Sequence, residues 1–118
     1  MNSDEIPDKW PDELDALIVA PGNHKLLFEN EKIRVLDTVV SPGETTPVHT
    51  HKYPASLYIL SWSDFIRYDE KGNVLLDSRT LEKSPLPRDV IWSNALGPHS
   101  LKNTGDTEIK VIAFEIKT

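Results

Sequence analysis

The sequence predicts an all-β domain with one short helix at its N-terminal end, and three observations support this fold class. Short apolar runs, some with alternating polar and apolar residues, recur from about residue 24 onward. Turn signals rich in Pro, Gly, Asn and Asp separate these runs at nearly regular intervals. The chain has 118 residues, of which 38% are hydrophobic, and this suits a single core. A sandwich or barrel of about eight or nine strands accounts for all three.

The helix is predicted over residues 11–20. Apolar side chains recur there at helical spacing, and acidic residues lie near its start, where the helix dipole favours them. Pro21 and Gly22 end the pattern. We therefore expect residues 1–25 to form an N-terminal extension and residues 26–118 to form the β-barrel domain.

The strands follow in order, each bounded by a turn. Residues 26–28 form the first, and residues 33–40 alternate with a period of two after the polar turn 29–32. Further strands are predicted at 56–60, 65–68, 74–76, 90–92, 99–102 and 107–116. Residues 107–116 are apolar on both faces, so this strand is expected to be central in its sheet and covered from both sides.

Charge and cysteine content exclude several classes of function. The chain carries 13 basic and 19 acidic residues, a formal net charge of −6, which argues against binding to nucleic acid. It has no cysteine, which excludes disulfides, a thiol nucleophile and thiolate metal sites. The polar N-terminus lacks the apolar segment of a signal peptide, and no apolar run is long enough for a membrane span. A cytoplasmic protein without a membrane or nucleic-acid partner is the expectation.

Histidines provide the clearest indication of chemistry. His49 and His51 are two residues apart, so on a strand both imidazoles project to the same face. Converging imidazoles are ligands for transition metals. The alternative is a pair of hydrogen-bonded histidines on an edge strand. His24 precedes the first predicted strand and is interpreted as a surface or hydrogen-bonding residue, not a ligand.

Two spacings resemble the motifs of the cupin superfamily. Gly43 is followed after five residues by His49 and His51, and His99 precedes Asn103 with three residues between them. The chain from residue 26 onward is similar to short single-domain bacterial cupins of the RmlC-like type. This resemblance implies a double-stranded β-helix, a jelly-roll barrel of two antiparallel sheets.

The same resemblance implies that His49, His51 and His99 bind a divalent metal ion. It also implies a homodimer formed near the N-terminal helix and the strand after it. The glutamate expected shortly after the second histidine is missing from residues 52–56. Some cupins use three histidines alone, and such a site favours iron(II), with nickel, zinc, copper or manganese as substitutes. The alternative is a barrel that no longer binds metal and has no cofactor.

The predicted function is a metal-dependent, dioxygenase-like oxidoreductase or Lewis-acid enzyme that acts on a small organic molecule. Tyr58 is the candidate catalytic residue, because its phenol could orient a bound species. Ser56, Leu60 and Trp92 are the candidate pocket residues, although Trp92 is also interpreted as core. Two alternatives are a non-enzymatic ligand-binding or sensing barrel and a sugar isomerase or epimerase of the same fold. Asn103 is expected to fix the turn that follows it.

Overall fold

The computed structural model of the protein describes residues 10–117, which form two antiparallel β-sheets. The strands are β1 (His24–Glu29), β2 (Ile33–Val40), β3 (His49–His51), β4 (Ala55–Ser61), β5 (Phe65–Asp69), β6 (Val74–Asp77), β7 (Val90–Ser93), β8 (Leu96–Asn103) and β9 (Ile109–Ile116). One sheet has the order β1-β2-β9-β4-β7, and the other has the order β3-β8-β5-β6. The predicted all-β class is confirmed.

The N-terminal helix is much shorter than predicted. A 3-10 turn at Asp12–Leu14 is followed by a single α-helical turn, α1 (Ala16–Val19). Between them Asp15 has an extended backbone, with φ −55° and ψ 139°. Its carboxylate accepts a hydrogen bond from the Leu17 amide and two more from the side chain of Arg34. This contact with a strand interrupts the helix that local periodicity favours.

The apolar core lies between the two sheets. Five side chains, each at most 6% exposed, form its centre: Val40, Ile59, Phe65, Ile109 and Val111. They come from both sheets and project inward at alternate positions of their strands. Burial of these side chains provides the main stabilisation of the barrel.

Asn103 fixes the turn between the last two strands, as the sequence predicts. Its side-chain amide donates hydrogen bonds to the carbonyls of Val40 and Thr107, at 2.9 and 2.8 Å, and its side-chain oxygen accepts one from the Gly105 amide at 3.0 Å. Asn103 is fully buried. A buried amide with partners on each side holds the start of β9 in register with β2.

Strand β9 is central in its sheet, between β2 and β4, but it is not covered on both faces. Its inward residues are buried, whereas Phe114 on the outward face is 40% exposed. On the same outer surface Trp92 is 60% exposed. It therefore does not belong to the core, contrary to one interpretation of the sequence. The prediction of two-sided cover was wrong because the second sheet packs against the inner face. Among residues 10–117, no helix is long and apolar enough to cross a membrane.

Candidate metal centre

All four histidines of the chain converge on one region of the barrel interior. His24 lies at the start of β1, His49 and His51 lie on β3, and His99 lies on β8, directly opposite His49. The ring centroid of His49 is 4.9 Å from that of His24, 4.9 Å from that of His51 and 4.4 Å from that of His99. One ring nitrogen from each of His24, His49 and His51 lies within 4.8 Å of the others. This spacing is close enough for the three residues to hold one metal ion.

Each histidine uses its Nδ1 atom in a hydrogen bond to an oxygen acceptor. The Nδ1–H groups of His24, His49 and His99 donate to backbone carbonyls, at 3.1, 2.7 and 2.7 Å. That of His51 donates to a carboxylate oxygen of Glu115 at 3.3 Å. A backbone carbonyl can only accept, so these bonds fix the Nδ1–H tautomer of His24, His49 and His99, and a deprotonated Glu115 does the same for His51; within residues 10–117 no Nε2 atom has a hydrogen-bond partner. Hydrogen bonds of this kind orient histidine ligands toward a metal.

Burial keeps the four imidazoles neutral. Loss of solvent, reinforced by the neighbouring rings, lowers the pKa of His24 and His51 to about 3 and that of His99 to about 2. Burial also holds the pKa of His49 below its ordinary value. The neutral imidazole is the form that binds metal ions. The site is therefore in its ligand form at neutral pH without having to release protons.

A buried ionic network supports the cluster from behind. Glu115 on β9 is fully buried, and one of its oxygens accepts from Arg34 Nε at 2.7 Å while the other contacts His51. The guanidinium of Arg34 also donates to both carboxylate oxygens of Asp15, at 3.0 and 3.2 Å. When ionised, two carboxylates and one guanidinium leave one net negative charge beside the imidazoles. That charge favours a cation at the cluster.

The pKa values within this network follow from burial and pairing. Burial alone would raise the pKa of Asp15, but the hydrogen bonds and charge of Arg34 hold it below its ordinary value. Burial raises the pKa of Glu115, and the charge and hydrogen bond of Arg34 oppose this shift without cancelling it. Burial opposes the charge of Arg34 too, but its bonds to both carboxylates raise its pKa above the ordinary value. Arg34 therefore stays charged and holds both carboxylates in place.

The histidines line an inner cavity of about 120 Å³, and an outer groove of about 480 Å³ lies beside it. The rest of the inner wall is mainly apolar. Six residues line both spaces and so mark the passage between them: Leu57, Trp62, Phe65, Arg67, Ser93 and Leu96. These side chains are therefore what lies between a small molecule in the groove and the histidines.

Three of the four candidate catalytic and pocket residues lie outside both the histidine cavity and the outer groove. Alternate residues of β4 face opposite sides, and Ala55 and Leu57 line the cavity. Ser56, Tyr58 and Leu60 therefore project from the outer face of the sheet. These three residues do not line the histidine cavity, and the sequence pattern did not show which face of β4 is inward.

Trp92 lines the outer groove but not the histidine cavity. Its indole N–H donates to the side chain of Asn94 at 3.1 Å. Trp92 therefore belongs to the approach to the site. Trp62 lies at the passage and is half-buried.

Sequence reasoning missed three residues at the centre. The structure brings His24 into the histidine cluster, although the sequence interpretation excluded it as a ligand, because β1 begins at residue 24 and not 26. Glu115 and Arg34 could have been found from strand alternation. Each is a charged residue at an inward position of an otherwise apolar strand, and such a residue needs a buried partner.

Comparison with known proteins places the architecture among cupins. No protein-family model and no curated protein sequence matches the chain. Solved structures do match. A cupin domain from Bordetella pertussis Tohama I is 19% identical, with a TM-score of 0.62 over 80% of this chain and 92% of that one. An RmlC-like cupin family protein from Methanocaldococcus jannaschii is 12% identical, with a TM-score of 0.54 over 79% and 77%.

A third similar structure is the polyketide cyclase RemF from Streptomyces resistomycificus. It is 16% identical, with a TM-score of 0.50, over 79% of this chain and 63% of that one. At these identities the similarity defines the fold. The chain has the cupin double-stranded β-helix fold, with histidines His24, His49 and His51 close enough to bind a metal ion.

Proposed function

We propose that this protein is a cupin-fold metalloprotein whose divalent ion is held by His24, His49, His51 and His99. The observation that carries the proposal is the convergence of every histidine in the chain, each with its Nδ1 atom already bonded and its Nε2 atom free. Hydrogen-bonded surface histidines would not gather in one buried cluster. Residues 52–56 contain no carboxylate. Glu115 places one beside the His51 ring instead, in a hydrogen bond to its Nδ1 atom.

The donor set suits a transition metal. Neutral imidazoles bind iron, nickel, copper and zinc well, and calcium and magnesium, which prefer oxygen ligands, poorly. Iron(II) is the ion that we favour, with nickel, zinc, copper or manganese as substitutes. A divalent ion in such a site supplies Lewis acidity and open coordination positions for a small molecule.

The proposed activity is oxygen-dependent or Lewis-acid chemistry on a small organic molecule. The apolar wall formed by Leu57, Phe65 and Val111 excludes water and takes up the carbon skeleton. Glu115 lines the cavity and is a positioning residue, because its two oxygens are bonded to Arg34 and to His51. The structure gives Tyr58 no part in this chemistry, since it lies on the outer face.

Metal content measured by mass spectrometry tests the proposal. Untagged protein, purified without chelator, is expected to carry a near-stoichiometric transition metal. The variant His49→Ala/His51→Ala is expected to carry none, because half of the ligand set is gone. Ser93→Ala is the matched control, since Ser93 lines the same cavity without offering a metal ligand and should leave the metal content unchanged.

Two further measurements make the test specific. His24→Ala is expected to weaken metal binding without abolishing it, which distinguishes a site of four histidines from one of three. Oxygen consumption by the iron-loaded protein, with a panel of small acids, diketones and thiols, tests the reaction class. Folded wild-type protein that binds none of the five metals after reconstitution would overturn the proposal.

The metal-free result would favour the alternative of a ligand-binding or sensing barrel, because the cavity exists without an ion. The sugar isomerase alternative needs a free acid–base pair. Among the residues that the structure describes around the cavity, Glu115 is the carboxylate present, and it is bound to Arg34 and His51. This arrangement does not favour an isomerase.

We also propose a homodimer, formed through the outer face of the five-stranded sheet, which includes the strand after the N-terminal helix. Phe28, Val35, Phe114, Ser56 and Trp92 are in register across the outer face of the five-stranded sheet. Three of these are large apolar side chains that are at least 40% exposed. A second copy of the sheet would cover them.

A further inference from the structure

Arg67 is the one charged side chain at the passage between the inner cavity and the outer groove. It lies on β5, opposite Leu101 on β8, and is the diagonal neighbour of His99, which is two residues from Leu101 on that strand. Diagonal neighbours of this kind have Cβ atoms about 7–8 Å apart.

Within residues 10–117, this guanidinium has no anionic partner. Its Nε atom is buried without a hydrogen bond, and no described carboxylate forms an ion pair with the side chain. Burial lowers the pKa of Arg67 from its ordinary value, although an arginine remains charged at neutral pH. A partly desolvated cation without a partner is costly in a folded protein, and a bound anion would relieve that cost.

The neighbouring acidic groups are already engaged. Glu115 is bound to Arg34, and Asp69, two residues from Arg67 on β5, accepts hydrogen bonds from Lys71 and Asn73. Asp89 in the groove accepts from the Leu86 amide. These carboxylates are held by other donors, and none of them pairs with Arg67.

The surroundings of Arg67 define what kind of anion fits. Its guanidinium lies 5.8 Å from the centre of the Phe65 ring, which fixes its position on an aromatic surface. Leu57, Trp62 and Leu96 complete an apolar passage. Because the inner cavity is only about 120 Å³, the part of a ligand next to the histidines is small, and the rest extends into the groove.

We infer that Arg67 binds the carboxylate of a small organic acid with an apolar skeleton, and so directs the reacting part of that molecule toward the histidine cluster. A planar guanidinium can bind a carboxylate through two parallel hydrogen bonds. The orientation toward a metal rests on the proposed function. Carboxylate binding by Arg67 does not.

Titration calorimetry with pentanoate and its neutral amide, pentanamide, tests this inference in zinc-loaded and metal-free wild-type protein. Pentanoate is expected to bind at least about tenfold more tightly than pentanamide in both forms, since a charged hydrogen bond is lost with the amide. Arg67→Gln is expected to remove this preference, and Arg67→Lys to retain part of it. Arg88→Gln is the control, because Arg88 is exposed and lies outside both spaces.

The outcomes separate the two proposals. Failure to bind zinc together with an Arg67-dependent preference for pentanoate would overturn the proposed function and leave this inference standing. Equal pentanoate affinity in wild-type and folded Arg67→Gln protein would overturn the inference, as would no pentanoate binding to folded wild-type protein at millimolar concentration. Inorganic phosphate that binds to Arg67 more tightly than pentanoate would overturn the assignment of a carboxylate.

Discussion

The two ends of the barrel interior differ in chemistry although the same two strands build both. At one end β9 presents Ile109, opposite Val40 on β2. At the other end it presents Glu115, opposite Arg34. All four side chains are inward and buried. We call these the apolar end and the charged end of the barrel.

This difference separates stability from function along one strand. At the apolar end, burial alone stabilises the folded state, by about 25 cal/mol per Å² of apolar surface. The charged end requires a partner for every buried charge and gives little net stability in return. It holds His51 in position through Glu115, which apolar packing could not do with the same directionality.

The largest expected effect comes from removing the central cation of the charged end. Arg34→Met leaves Glu115 and Asp15 buried without their partner, and should lower the free energy of unfolding by about 3–5 kcal/mol. Urea unfolding followed by circular dichroism measures this change. The triple variant Arg34→Met/Glu115→Gln/Asp15→Asn removes the unpaired charges and should recover part of the loss. A single variant as stable as the wild type would contradict this description of the charged end.

Truncation of a buried side chain at the apolar end should lower stability without changing the histidine cluster. Ile59→Ala removes a fully buried side chain and should lower the free energy of unfolding by about 2–5 kcal/mol. Leu60→Ala is the matched control on the next residue of β4, where the side chain is 39% exposed, and should cost less. Metal content of Ile59→Ala should equal that of the wild type. A large loss of metal in this variant would show that the two ends are not independent.

Acid should destabilise the metal-free protein through the charged end. The pKa values of His24, His51 and His99 are far lower in the folded protein than the ordinary 6.5. Below about pH 6.5 the unfolded chain therefore binds more protons, and stability falls as pH falls, by about 1.4 kcal/mol per pH unit for each histidine. Above that pH the three groups are neutral in both states and add no pH dependence.

Urea midpoints between about pH 7 and pH 5 measure this slope. His24→Gln removes one of the three groups and should reduce the slope by about one proton. A metal-free protein whose stability stays constant over this range would show that the histidines are not buried in neutral form.

The smallest effect on stability is expected from a substitution on the outer face of the five-stranded sheet, which belongs to neither end of the barrel interior. Phe114→Lys places a charge on the exposed row of apolar side chains and should convert a dimer into monomers. The free energy of unfolding of the monomer should change by no more than about 0.5 kcal/mol, as for other exposed positions. Sedimentation velocity measures the mass, with Lys102→Glu on the other sheet as the control. A wild-type protein that is already monomeric at high concentration would contradict the proposed dimer.

Most strands could be predicted from local pattern. The alternation of residues 33–40 and the turn at residues 41–44 are properties of a few neighbouring residues, and β2 ends at Val40 as predicted. The helix over residues 11–20 failed for the opposite reason. Helical spacing is local, but Asp15 is held by Arg34, which is 19 residues away in the chain. A distant ion pair overrode the local preference.

The candidate site was predictable in part. His49 and His51 share a face whatever sheet they join, and the spacing of His99 from Asn103 added the third histidine through the family resemblance. The sequence pattern could not show that β4 turns Leu57 inward and Tyr58 outward, because strand pairing sets that choice. His24 was missed because its place depends on β1 pairing with β2.

The sequence by itself determined an all-β domain, the approximate positions of most of its strands along the chain, and a pair of histidines on one strand face. These follow from side-chain periodicity and turn chemistry, which act over a few residues. Tertiary structure alone decided that His24 joins the cluster, that Glu115 and Arg34 pair behind it, and that Arg67 stands at its entrance. Those are contacts between residues far apart in the chain, and the free energy of pairing and burial that selects them exists only when both sheets are in place.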